Sequence, residues 1–274
     1  MTGPLISFLT DFGLRDPRAA IMRGVVLGLV PDARIVDISH EVNKFSIRDG
    51  ALLLWCALPY LPVGFHVAVV DPGVGTARLP VALATVRGDV LIGPDNGLLP
   101  AAAERVGGIA AVHVLESEAH RLPVVSTSFH GRDIFAPAAA HLALGVPITD
   151  LGRAIDPAHL VGSPLRAPEI APGELRTTVV YVDTFGNVKL AGLRADLEEA
   201  IDAVRPGDPL LLAVAGRPDE RIRTTWQATF GDVDPGETLV YEDSYGRLCI
   251  AAAQAHAARI HGLVDDLEIA VRRA

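Results

Sequence analysis

The order of apolar runs predicts an α/β protein: an N-terminal, largely parallel sheet sandwiched by helices, then a smaller C-terminal β-barrel-like domain. Three observations carry this. Strand-like and helix-like segments alternate along residues 5–144, the pattern of a mainly parallel sheet covered on both faces. The stretch Gly162-Ser163-Pro164 to Ala171-Pro172-Gly173 then gathers three prolines and two glycines, which is linker chemistry. Beyond it, short strand candidates are separated by turns such as Arg205-Pro206-Gly207-Asp208 and Asp234-Pro235-Gly236-Glu237, a spacing that suits a small barrel or sandwich. The expected organisation is an α/β domain over 1–163, a linker over 164–173 and a β domain over 174–274.

Leu5–Thr10 reads as a first buried strand, ended by Asp11-Phe12-Gly13. Residues 17–29 place Ala, Ile, Met, Val and Leu at helical spacing, and Pro31-Asp32 stops them. Ile35–Ile38 is a second strand, and residues 46–58 form a second helix that ends before Pro59. His66–Val70, Val81–Val86 and Asp89–Ile92 are the next three strands, the last closed by Gly93-Pro94-Asp95-Asn96-Gly97. A short helix over 98–105 and an Ala-rich helix over 135–144 follow. The second domain offers strands at Thr177–Val182, Asn187–Leu190, Leu210–Val214, Thr238–Tyr241, Arg247–Ala251 and Leu267–Val271.

Composition narrows the function. Half of the 274 residues are hydrophobic, enough to bury a sizeable core. The net charge is −9 and the only lysines are Lys44 and Lys189, so no basic patch exists to hold a nucleic acid. Cys56 and Cys249 lie far apart in apolar runs and read as buried, reduced thiols. No signal-peptide pattern and no apolar run of about 18 residues stands out, so no membrane partner is predicted and a cytoplasmic location is expected.

The segment Val69-Val70-Asp71-Pro72-Gly73-Val74-Gly75-Thr76-Ala77-Arg78 puts a carboxylate on a glycine-rich turn at a strand end, with a guanidinium seven residues on. Taken singly, Asp-Pro-Gly is an ordinary turn, Asp11 could cap the helix after it, and Asp183-Thr184-Phe185-Gly186-Asn187 could be a hairpin turn. Jointly, Asp11, Asp71 and Asp95 each follow a strand, and the C-terminal ends of parallel strands share one edge where ligands bind. Ser128-Phe129-His130-Gly131-Arg132-Asp133 adds a titratable histidine. A phosphate loop, the third glycine of a dinucleotide fingerprint, a Gly-x-Ser-x-Gly elbow and a His-Glu-x-x-His pair are all missing. A metal on Asp11, Asp71 and His130 is chemically allowed; Arg78 and Arg132 beside those residues count against it, and no metal is expected.

Six motifs in order carry a family likeness: Leu9-Thr10-Asp11-Phe12-Gly13, Asp37-Ile38-Ser39-His40, Val70 to Thr76, Gly93 to Gly97, Phe129 to Pro137, and Asp183 to Asn187. The chain resembles the S-adenosyl-L-methionine (SAM) hydrolases that form adenosine, also called SAM hydroxide adenosyltransferases, relatives of fluorinase and chlorinase. The resemblance implies in-line attack of water on the ribose 5′ carbon, giving adenosine and L-methionine. It implies no cofactor, SAM being the substrate. It also implies a homotrimer with active sites between one subunit's N-domain and a neighbour's C-domain. Carried over to matching positions, Asp71, Arg78 and His130 would activate water and Asp11 would hold the ribose hydroxyls. Phe45, Asp95 and Asn96 would be further substrate contacts. Asp183, Phe185 and Asn187 would surround the methionine and adenine parts, with Ser244 and Tyr245 alongside. Two positions depart from the family: Ala253 stands where an Asn is usual, so a contact near the adenine is either lost or served by Gln254, and Tyr245 is bulkier than the usual small residue. The halogenating relatives have Tyr and Thr or Gly where this chain has Asp71 and Val74, and fluorinase carries an insertion before the segment of Phe129. Water is therefore expected as the nucleophile; a halogenase and a non-catalytic SAM or adenosine binder are the alternatives.

Overall fold

The computed structural model describes residues 3–217 and 219–274. The chain divides into two compact units, one ending at Pro164 and the other spanning Leu165–Ala274.

The first unit is built on strands β1 (Leu5–Thr10), β2 (Arg34–Ser39), β3 (Phe65–Val69), β4 (Pro80–Thr85), β5 (Val90–Pro94), β6 (Ile109–Val114) and β7 (Ala154–Ile155), in the order β2-β1-β3-β5-β4-β6-β7. The first four positions are parallel neighbours; β4, β6 and β7 close the other side with antiparallel pairings. Helices α1 (Arg18–Leu29), α2 (Ile47–Ala57), α3 (Pro100–Arg105) and α4 (Ala136–Ala143) cover it. On one face Met22 and Val26 of α1 and Ala138, Ala139 and Leu142 of α4 pack on Ile6, Phe8, Val67 and Val69. On the other, α2 lies so close at Gly50 that a Cβ there would meet Val70 and Leu98 at 2.9 and 2.8 Å. The α/β expectation therefore holds. Strand β6 was not foreseen, because Ile-Ala-Ala-Val-His-Val carries two residues of weak strand preference behind a Gly-Gly pair; pairing with β4 makes it a strand.

The second unit is a closed barrel. Its strands are β8 (Glu169–Ala171), β9 (Glu174–Val182), β10 (Val188–Leu193), β11 (Pro209–Val214), β12 (Arg221–Trp226), β13 (Thr238–Glu242), β14 (Arg247–Ala252) and β15 (Glu268–Arg273). The sheet runs β10-β14-β13-β12-β11-β15-β9-β8, and β9 pairs back onto β10, so seven strands close and β8 is an outer addition along β9. Two helices complete it, α5 (Arg194–Ile201) and α6 (Ala257–His261). Leu175, Val179, Leu190, Leu212, Trp226, Val240 and Ile250 fill the core, joined by Leu197 and Ile201 of α5. The stretch 164–173, read from sequence as a linker, carries β8 and belongs to this unit from Leu165 onward. No helix among the described residues is long and apolar enough to cross a membrane.

Three buried side chains lock the starts of the parallel strands. Ser7 Oγ lies 2.7 Å from His66 Nδ1, and His66 Nε2 lies 3.0 Å from Asp89 Oδ1. Thr85 and Arg87 donate to the same carboxylate. Burial alone would raise the Asp89 carboxyl, but the hydrogen bonds from His66 and Arg87 outweigh it and hold the carboxyl well below the usual carboxylate range. Such a group adds stability that is complete above its unfolded value of about 3.9 and is lost as pH falls through the folded value. Asp89→Asn is expected to cost about 3 kcal/mol at pH 7 and to flatten the loss of stability on acidification. Urea unfolding at pH 7 and pH 3 measures both, and parallel pH slopes for variant and wild type would contradict the assignment.

Candidate active site

The C-terminal ends of β1, β2 and β3 are neighbours, so the loops that leave them meet. Asp11 follows β1 directly. It does not cap α1; its Oδ2 accepts the Phe45 N–H at 2.9 Å, and the Lys44 ammonium donates to its main-chain carbonyl. Phe45 has φ of 65°, a left-handed conformation costly for an aromatic residue, and its side chain is 71% exposed. Strain of this kind gathers at ligand sites.

Asp71 stands two residues past β3. The following turns, with Val74 N donating to Asp71 O and the Thr76 N–H and hydroxyl donating to Gly73 O, fold Arg78 back onto it. Arg78 Nε lies 3.0 and 3.1 Å from the two Asp71 oxygens, and Nη2 donates to Oδ2 as well. The same Nη2 lies 2.8 Å from His130 Nδ1, and the guanidinium sits 5.4 Å over the buried Phe135 ring. Both side chains are nearly buried, Arg78 at 9% and Asp71 at 5% exposure.

The guanidinium has only donors, so His130 Nδ1 must accept. The proton of the neutral ring is then on Nε2. Burial, helped by the Arg78 charge, lowers the His130 pKa below its ordinary 6.5 and keeps the ring neutral.

His130 arrives on a segment pressed against the Asp71 loop. A Cβ on Gly75, whose φ is 78°, would lie 2.5 Å from the Thr127 carbonyl oxygen. Behind His130 the chain makes a π-helical turn over Gly131–Phe135 before entering α4. Such turns recur at functional sites. Asp133 in that turn is fully buried and holds the segment by accepting the Ser126 N–H at 2.8 Å and pairing with Arg132.

Asp11, Asp71 and His130 line one cavity of about 240 Å³, together with Phe45, Lys44, Arg18, Phe12 and Phe129. Sequence reasoning missed the last four. Lys44 was detectable only as one of two lysines; its approach to Asp11 follows from the pairing of β1 with β2. Asp95 and Asn96, expected as substrate contacts, do not line this cavity. Asp95 Oδ1 accepts the Val161 N–H at 2.9 Å, and Asn96 Nδ2 donates to Val70 O at 2.8 Å, bracing the strand end before Asp71.

In the second unit Asp183, Phe185, Asn187, Ser244 and Tyr245 line a cavity of about 840 Å³. Asp183 accepts from Phe185 N, Asn187 N and Asn187 Nδ2 at 2.9, 2.9 and 3.0 Å, which shapes the turn and leaves Phe185 78% exposed. Lys189 pairs with Asp243 and stacks 5.0 Å over Tyr245. Ala253 is buried, and Gln254 is the residue at the cavity wall. Cys249 behind it is a neutral thiol, its pKa pushed up to about 12 by burial.

An α/β unit with an Asp–Arg–His assembly at its strand ends, followed by a closed barrel with a polar-aromatic cavity, defines a two-domain small-molecule protein. Sequence comparison names it. The chain belongs to the SAM hydroxide adenosyltransferase family: the family's N-terminal domain matches residues 6–152 and its C-terminal domain residues 177–270. An (R)-S-adenosyl-L-methionine hydrolase from Salinispora tropica is 44% identical over 260 residues, 95% of this chain and 94% of the relative. A fluorinase from Actinoplanes sp. is 28% identical over 297 residues, 99% of this chain and 98% of the relative. The crystal structure of an uncharacterized conserved protein from Thermotoga maritima superposes with a TM-score of 0.90 at 34% identity, over 98% of this chain and all of the other.

Because φ and contact distance both exclude a side chain at Gly75, Gly75→Ala is expected to cost about 2 kcal/mol and to move Thr127, and with it His130, off Arg78. Thermal unfolding and a crystal structure of the variant check this; an unchanged melting temperature would contradict it.

Proposed function

We propose that this protein hydrolyses SAM to adenosine and L-methionine. The observation that carries the reading is that Asp71 and His130, both bonded by Arg78, line one cavity with Asp11. The sulfonium leaves as neutral methionine, taking the C5′–S electron pair, so no acid is needed at the leaving group. The difficulty is the nucleophile, since bulk water has a pKa of about 15.7. A water oxygen attacks C5′ in line, and its proton goes to Asp71. His130 is excluded as acceptor in this arrangement, because Arg78 occupies its one lone pair; its Nε2–H is left to orient the water. Asp11 clamps the ribose hydroxyls with charge-assisted bonds, and that positioning supplies much of the rate. Asp183, Phe185, Asn187, Ser244, Tyr245 and Gln254 are proposed to contact the methionine and adenine parts. A carboxylate at the nucleophile's place disfavours a halide, which it would repel.

Two buried free thiols, Cys56 and Cys249, suit a reducing compartment, and the cytoplasm is the proposed location. The assembly proposed is a homotrimer whose sites draw on two subunits, and mixing two inactive variants altered in different halves of the site should then restore activity.

Incubation with SAM, followed by chromatography, is expected to yield equal adenosine and methionine. Bound but intact SAM would overturn the reading, and a 5′-halo-5′-deoxyadenosine formed in chloride or fluoride would favour the halogenase. Asp71→Ala is expected to cut kcat by about a hundredfold or more while SAM still binds. Undiminished turnover would refute the role of Asp71. Because the neutral His130 ring is required and its pKa is lowered, the acid limb of kcat/KM should fall below pH 6.5; a limb at or above 6.5 would contradict it.

A further inference from the structure

The Asp37-Ile38-Ser39-His40 segment takes no part in the chemistry above, yet it forms a second hydroxyl–imidazole–carboxylate relay, at the opposite ends of the strands from Ser7–His66–Asp89. Thr10 Oγ1 lies 2.8 Å from His40 Nδ1, and His40 Nε2 lies 3.0 Å from Asp37 Oδ1. Arg23 of α1 holds Asp37 through Nε at 3.0 Å and Nη2 at 2.6 Å. Thr10 and His40 are buried.

The chain of bonds has one direction. Asp37, paired with Arg23, accepts only, so His40 Nε2 carries the proton and Nδ1 accepts from the Thr10 hydroxyl. The Thr10 oxygen is thereby free to accept the Phe12 N–H, which it does at 3.2 Å. Asp11 is the residue between Thr10 and Phe12. Further bonds tie the same two loops: Gly13 N to His40 O at 2.7 Å, Leu14 N to Glu41 Oε1 at 2.9 Å, and Phe45 N to Asp11 Oδ2 at 2.9 Å.

The geometry points to Asp37, His40 and Thr10 as positioning residues that aim the Asp11 carboxylate and Phe45 at the substrate. This rests on the reading of Asp11 as the ribose clamp. The relay fixes the backbone on both sides of Asp11 from a buried anchor, so the clamp is held before substrate arrives. Its counterpart through Ser7 has the same chemistry but its side chains hydrogen-bond to none of the residues lining the cavity, which makes it an internal control for a purely structural role.

The test is a double-mutant cycle on the full chain, reading kcat, KM and melting temperature for Thr10→Val, Thr10→Ser, Asp11→Asn and the double variant Thr10→Val/Asp11→Asn. Ser7→Ala is the control. Thr10→Val keeps shape and removes the hydroxyl; it is expected to lower kcat/KM about tenfold or more. Thr10→Ser restores the hydroxyl and most of the activity. Since Thr10 acts through Asp11, the double variant should be little worse than Asp11→Asn alone. Ser7→Ala should lower the melting temperature and leave kcat/KM unchanged. Should Thr10→Val not fold, Asp37→Asn reads the same relay in the same cycle. Wild-type kcat/KM in the relay variant, or losses that multiply in the double variant, would overturn the proposal. If the wild type releases no adenosine from SAM, the functional reading fails separately. The cycle is then read as Kd for adenosine by calorimetry, with the same non-additivity expected and additive losses overturning the positioning role.

Discussion

Arg78 is the side chain on which the site depends. Its guanidinium joins a carboxylate from the β3 loop, an imidazole from the segment before α4 and the face of a core phenylalanine. A nearly buried cation is tolerable only when it is paired, and here Asp71 takes its Nε and Nη2 donors and His130 shares Nη2. The same contacts decide chemistry. Because arginine cannot accept a hydrogen bond, it dictates which nitrogen of His130 carries the proton, and in the proposed reaction the Asp71 carboxylate is then the base. Structure and reactivity are here one constraint.

The fold serves that constraint by placing loop exits side by side. Parallel pairing of β2, β1 and β3 aligns three C-terminal ends, so residues far apart in sequence need little extra chain to meet. The loop after β5 contributes support: Asp95 accepts from Val161 and Asn96 donates to Val70. Polar relays of equal chemistry stand at both ends of the parallel strands, one within the core and one beneath the Asp11 loop. The difference in role proposed for them follows from position.

Much of this was legible in the sequence, for identifiable reasons. β1 and β3 announce themselves as apolar, β-rich runs ended by polar turns, and the strand-end rule drew attention to Asp11 and Asp71. The same rule picked out Asp95, which stands at that edge but does not line this cavity, since the rule gives the edge and not where the carboxylate points. β12 escaped because Arg221 and Arg223 alternate with Ile222 and Thr224, an outward-charged strand easily taken for a loop. The pairings of β15 with β9 and of β10 with β14, which the barrel needs to close, join strands far apart in sequence and have no local signature. The union of Arg78 with His130 spans 52 positions and came from family likeness, not from spacing. Lys44 and Arg18 at the cavity wall had neither signal.

The central claim is that Arg78 fixes His130 as a neutral acceptor at Nδ1, protonated at Nε2, leaving Asp71 to take the proton of water. Nitrogen-15 NMR of histidine-labelled protein at neutral pH, with His130 assigned by a His130→Asn variant, measures this directly. The account predicts an unprotonated Nδ1 and a protonated Nε2, with the Nδ1 signal perturbed in Arg78→Met. A protonated Nδ1, or a His130 signal indifferent to loss of the guanidinium, would contradict it.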